Sequence, residues 1–264
     1  MSKSTQNINS FPEPRKEIKD MKEYSAPLEN RRDFLRLDFN ENTIGPSPEV
    51  YKAIQNIKSN QISIYPEYNS LLKKISKSYC DNKKLNIKEI GLFNGADAAI
   101  NAIFNSFANI NDTFLTTNPT FGYYLPCAEM RGMKIITCQY KGDDFEFPIE
   151  DFEKKINIHN PKLIFICNPN NPTGTILKAD KIIDLAINNK ESIIVVDELY
   201  EKFYGDSLLP KINFEEINNL IIIQSLSKTA GLAGLRMGFA FGHKELIKYL
   251  NKVTGPYDVN SFAV

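Results

Sequence analysis

Short strand-like runs, rich in apolar and β-branched residues, alternate along the chain with segments whose apolar positions recur at helical spacing. The runs are DTFLTTN (Asp112–Asn118), KIITCQY (Lys134–Tyr140), LIFIC (Leu163–Cys167), IIVVD (Ile193–Asp197), LIIIQS (Leu220–Ser225) and MGFAF (Met237–Phe241). Between them, FNGADAAINAIFNSF (Phe93–Phe107), GYYLPCAEMRG (Gly122–Gly132) and IEDFEKKI (Ile149–Ile156) carry the helical pattern. β-rich apolar runs separated in this way predict βαβ units around a mainly parallel sheet buried on both faces. Upstream, LRLDFNENTIGPSPEV (Leu35–Val50) begins with an apolar-polar alternation that predicts a strand, then a Pro/Gly turn with a helix starting at Pro48. A further helix is expected behind Tyr65 and Pro66, over YNSLLKKIS.

The first thirty residues are polar and lack the apolar stretch of a secretory signal, so residues 1–30 read as a loose arm. Basic and acidic residues balance at 32 each, which gives no reason to expect nucleic acid or a membrane as partner. No apolar run approaches the roughly 18 residues of a membrane span. Cys80, Cys127, Cys138 and Cys167 are scattered with no CxxC pair, which argues against a zinc knuckle or a disulfide scaffold and suits a reducing cytoplasm. No metal is expected.

Chemistry-bearing residues concentrate at a few ends of these elements. In QSLSKTAGLAGLRMGFAFG (Gln224–Gly242) an amine, Lys228, stands between Ser225 and Ser227 on one side and Arg236 on the other. A lysine that holds a phosphorylated aldehyde needs an activated amine with anion donors beside it, and this loop offers both. Gly95, Ala96 and Asp97 open a helix whose unpaired N–H groups suit a phosphate, although Asp97 could equally cap that helix. Asp197 ends an apolar strand, where α/β sheets place ligands, and a carboxylate buried there is expected to meet a cation. CNPNNPTG (Cys167–Gly174) turns sharply out of another strand.

The loop around Lys228 resembles the cofactor-lysine segment S-x-S-K-x-x-G-L-A-G-L-R-x-G of the fold-type I pyridoxal-phosphate (PLP) aminotransferases, class I and II, with every fixed letter present. NEN followed by GPSPEV, and PYDVNS near the end, look most like the histidinol-phosphate aminotransferase branch, with Thr43 in place of its usual proline. The resemblance implies a large domain with a seven-stranded, mostly parallel sheet flanked by helices. It makes Lys228 the Schiff-base lysine and proton shuttle, and Asp197 the partner of the pyridine nitrogen. Asn171 and Tyr200 share the cofactor's phenolic oxygen, Phe121 stacks on its ring, and Gly95, Ala96, Asp97, Ser225, Ser227 and Arg236 surround its phosphate. Tyr65 would reach the phosphate of the other subunit in a homodimer, and Asn40 and Asn42 would lie on the substrate side.

The implied activity moves an amino group between L-histidinol phosphate and 2-oxoglutarate in the cytoplasm. An aromatic amino acid aminotransferase, a threonine-phosphate decarboxylase-like lyase and a non-catalytic PLP-fold protein stay open. The expected layout is residues 31–47 as the first, substrate-side part of the small domain, 48–254 as the PLP-binding large domain and 255–264 as the start of an incomplete remainder of the small domain. Relatives carry in that remainder an arginine that clamps the substrate carboxylate. Arg31, Arg32 and Arg36 are conceivable substitutes but are expected to be solvated charges on the arm. A chain without the remainder is expected to bind PLP weakly, associate and transaminate poorly.

Overall fold

The computed structural model describes residues 12–23, 29–78 and 85–264; Cys80 and most of the expected arm lie outside them. Seven strands form one sheet: β1 (Ile90–Asn94), β2 (Thr113–Asn118), β3 (Lys134–Gln139), β4 (Leu163–Cys167), β5 (Ile193–Asp197), β6 (Leu220–Ser225) and β7 (Met237–Gly242). Their order is β1-β7-β6-β5-β4-β2-β3, and β7 runs antiparallel to both neighbours while the other pairings are parallel. Six strands fall where the apolar runs predict them. The seventh does not.

Leu35–Phe39 is not a strand: Leu35 and Leu37 are exposed and pair with no strand among the described residues, and the segment runs over the surface as a strap. The missing strand is β1, whose alternating Ile90 and Leu92 were hidden by the glycine at 91 and by the helical pattern that follows. Consequently Phe93 belongs to a strand, and the helix begins at Ala96 with Gly95 as its N-cap. Ser47 caps the helix Pro48–Gln55, as the proline at its first position suggests.

Alternation along β4, β5 and β6 sends neighbouring side chains into two cores, one on each face. Phe165, Val195 and Ile223 enter the core beneath the helices Ala96–Phe107 and Tyr124–Met130, where Phe104, Phe114 and Phe165 pack with ring centroids 5.0–5.4 Å apart. Ile166, Val196 and Ile222 enter the core on the opposite face, together with Phe152 and Ile182 of the helices Ile149–His159 and Ala179–Asn188. Among the described residues, no helix is long and apolar enough to cross a membrane.

A short helix at Lys16–Lys19 follows Arg15, whose guanidinium donates to the carbonyl of Met130.

Candidate active site

Every parallel strand that feeds the site delivers its residue at the carboxyl edge of the sheet. Asp197 closes β5, Ser225 closes β6, Cys167 closes β4, and Gly95 follows β1. Antiparallel β7 starts at the same edge, which brings Arg236 there. A cavity of about 770 Å³ lies over that edge, lined by Ala96, Asp97, Phe121, Asn171, Asp197, Tyr200, Ser225, Ser227, Lys228 and Arg236 among others.

Lys228 is partly buried, and its Nζ donates to the backbone carbonyl of Phe39 at 2.8 Å. Burial holds its ammonium below the usual lysine range, against the opposing pull of Asp97, Glu41 and Asp197, so the neutral amine is more accessible than on an exposed lysine. The ring of Tyr200 lies 5.8 Å from Nζ. Tyr200 Oη accepts from Asn40 Nδ2 at 3.1 Å and from Asn171 Nδ2 at 3.4 Å. With both lone pairs engaged, the phenol's own proton is free to point into the cavity toward an anionic oxygen.

Asp197 is 2% exposed and accepts from Tyr124 Oη at 2.6 Å and from the amide of Leu199 at 3.1 Å. No ion pair reaches Asp197 among the described residues; a hydroxyl and an amide hold its carboxylate. Burial therefore pushes its carboxyl up to about 6 even though those hydrogen bonds pull it down. A buried carboxylate without a cation is a site for a cationic ring nitrogen. Tyr124 was missed in the sequence, where its position among Gly122, Tyr123 and Leu125 marked it only as helix core.

The anion end is built around Gly95. Its φ of +82° suits glycine, and a Cβ there would lie 2.4 Å from Arg236 Nη2, so the guanidinium rests directly on the turn. Gly238 of β7 makes the same junction from below, since a Cβ on it would sit 2.4 Å from the carbonyl carbon of Gly95. Arg236 Nη2 bonds Asp97 Oδ2 at 3.0 Å. Asp97 thus does not cap its helix through its side chain; the carboxylate occupies the guanidinium instead. Ser225 Oγ donates to the carbonyl of Met237 at 2.9 Å and lies 2.8 Å from Ser227 Oγ.

These features fit a PLP molecule: an anion cradle at a helix start, an amine, a phenol-amide pair and an unneutralised buried carboxylate surround one cavity. Phe121 also lines it and meets Tyr124 edge-on at 5.4 Å. Asn40 lines it as well, whereas Asn42 does not: its amide donates to the carbonyl of Thr229 and its oxygen accepts from Ile44 and Gly45. Tyr65 lies elsewhere, 71% exposed and stacked on Tyr257 at 4.2 Å. Arg31 and Arg36 are not solvated charges. Arg31 binds Asp38 at 2.7 Å and Glu41 at 3.0 Å and covers the ring of Phe39 at 4.1 Å, and Arg36 approaches Glu41 at 3.1 Å.

The profile of the family "Aminotransferase class I and II" matches residues 32–264. This chain belongs to that family, whose members are PLP-dependent aminotransferases. The histidinol-phosphate aminotransferase of Thermoanaerobacter sp. (strain X514) is 38% identical over 251 residues, which cover 94% of this chain and 69% of that one. The histidinol-phosphate aminotransferase structure from Clostridium acetobutylicum superposes with a TM-score of 0.74 at 25% identity, covering 85% of this chain and 65% of that chain. The one from Sinorhizobium meliloti in complex with pyridoxal-5'-phosphate gives 0.83 at 21% identity, over 97% and 70%. The chain thus spans about two thirds of the length of these relatives.

Proposed function

We propose that this chain moves an amino group from L-histidinol phosphate to 2-oxoglutarate, with PLP held by Lys228. One observation carries the chemistry: the Lys228 amine opens into the same cavity as Asn171, Asp197, Tyr200 and Arg236, residues drawn from the three separate connections that follow β4, β5 and β6. The choice of donor is supported by the 38% identity to a histidinol-phosphate aminotransferase and by the NEN, GPSPEV and PYDVNS segments.

When bound, PLP supplies a protonated ring that withdraws electrons from the carbon bearing the amino group. The roles of this chain's residues follow from their surroundings. Lys228 Nζ, its charge weakened by burial, would hold the cofactor aldehyde and would serve as the base and acid that moves the proton of the donor's Cα. Asp197 would pair with the ring nitrogen and keep it protonated. Asn171 and Tyr200 would donate to the phenolic oxygen. Arg236, Ser225, Ser227 and the N–H groups after Gly95 would hold the phosphate. Asn40, which bonds Tyr200, stands on the substrate side.

The test is a panel of amino donors. L-Histidinol phosphate with 2-oxoglutarate should yield glutamate and the matching ketone faster than phenylalanine or tyrosine does. A preference for aromatic donors, carbon dioxide release from a phosphorylated amino acid, or no turnover of any donor would each reject the proposal.

A further inference from the structure

Glu198 follows Asp197 directly, so strand alternation turns its side chain to the opposite face of the sheet, away from the cavity. Gln224 stands in the same relation to Ser225 on neighbouring β6. Together they form a polar pair under the floor on which Asp197 and Ser225 stand. Glu198 is 2% exposed. Its Oε2 accepts from Gln224 Nε2 at 2.7 Å and from Ser207 Oγ at 2.7 Å, and its Oε1 accepts from the amide of Leu208 at 2.7 Å. The carboxylate therefore clasps both ends of the segment 198–208, which carries Tyr200, and ties it to the strand that leads into Lys228.

All three partners donate, an arrangement only the ionised carboxylate satisfies in full. Gln224 Oε1, by contrast, is buried with no hydrogen-bond partner among the described residues. Ser207 Oγ already accepts from the amide of Leu209 at 3.1 Å and from Gln224 Nε2 at 3.2 Å, so a neutral Glu198 would carry a proton for which Gln224 Oε1 is the available acceptor, reached by turning the Gln224 amide over. The Gln224 Nε2 bond to Glu198 would then be lost.

We propose that Glu198 is a positioning residue with two proton states, and that its carboxylate locks the Tyr200 segment to β6 while its neutral form releases it. This rests on the reading of the cavity as a PLP site. The charged groups on the elements packed around Glu198 are Asp197 on its own strand, Glu201 with its partner Lys202, and Asp206 with its partner Lys211. Burial is the main influence on the Glu198 carboxyl and pushes it up to about 7, with the hydrogen bonds from Leu208, Ser207 and Gln224 opposing and Glu201 adding a little. The exchange between the two states thus falls near neutral pH, with the lock formed on the alkaline side.

Hydrogen exchange of the 198–208 segment in cofactor-free protein, corrected for the intrinsic pH dependence, reads the lock directly. Protection should rise about fivefold as pH increases through 7, the effect of one hydrogen bond. Glu198→Gln should remove this step and hold the segment at the weakly protected level. Ser207→Ala, which deletes a bond to the charged form, should move the midpoint to higher pH. A Glu198→Gln profile that keeps the wild-type step, or a Ser207→Ala midpoint that stays put, overturns the proposal. A parallel PLP titration of the wild type separates this from the site reading. Weaker PLP binding below pH 7 that Glu198→Gln abolishes supports the positioning role. PLP that never binds at any pH refutes the site reading and the role with it, whereas PLP that binds with the same pH profile in both proteins refutes only the role.

Discussion

Lys228 Nζ and the backbone oxygen of Phe39 lie 2.8 Å apart, although 189 positions separate them in the chain. The strap that presents this oxygen is folded by Arg31, which holds Asp38 and Glu41 and covers the Phe39 ring. The Arg31 guanidinium keeps the Asp38 carboxyl down at about 2, so the grip persists over the whole working range of pH. Arg31→Ala should free the strap: cleavage by chymotrypsin after Phe39 should become several-fold faster while the melting temperature moves little. Unchanged cleavage would show that Arg31 does not hold the strap.

Asp197 is costly in the cofactor-free protein. Its carboxyl is raised in the folded chain, so the cost is fully present above about pH 6 and disappears as pH falls toward the ordinary aspartate range. A shift from 3.8 to about 6 corresponds to roughly 3 kcal/mol. Asp197→Asn should therefore raise the unfolding midpoint of cofactor-free protein at pH 8 and leave it nearly unchanged at pH 4, while weakening PLP binding. Equal effects at both pH values would contradict the assignment of that cost.

Asp97 competes with any anion for Arg236, since the two form an ion pair at 3.0 Å at the mouth of the cradle. Both side chains are about half exposed, which limits the pair to a small contribution of about 1 kcal/mol or less. Asp97→Asn should tighten binding of inorganic phosphate to cofactor-free protein by up to about fivefold, read by calorimetric titration. Phosphate binding that is unchanged or weaker would mean that the carboxylate helps the cradle rather than blocking it.

The junction of β7 with the turn after β1 leaves no room for a side chain at 238. Gly238→Ala should destabilise the protein by about 3 kcal/mol, the upper part of the range for overpacking, because the atoms in the way are backbone. Urea unfolding of the variant checks this, and a loss under 1 kcal/mol would show that the turn can shift.

The sequence made the strands of the sheet interior legible because burial on both faces forces continuous apolar runs, as in LIFIC and IIVVD. Edge strand β1 escaped notice since Gly91 breaks its pattern and its neighbour is the distant β7. Lys228, Asn171, Tyr200 and Arg236 were readable as motif letters, and the structure places all four around one cavity. What touches them was not readable. The Tyr124 hydroxyl on Asp197, the Phe39 carbonyl on Lys228 and the Asp97 carboxylate on Arg236 come from packing between segments far apart in sequence. Local pattern holds no record of such pairs. The solvated reading of Arg31 failed although its partners are near in sequence, seven and ten positions on, because they meet it only once the strap has folded back.

The central claim is that the Lys228 amine is the point at which PLP is held. Purified protein mixed with PLP should develop a visible absorbance band, and borohydride should then fix the cofactor's mass on the peptide containing Lys228. Lys228→Ala should show neither band nor label. A label on another lysine, a band that survives in Lys228→Ala, or no band in the wild type would contradict the account.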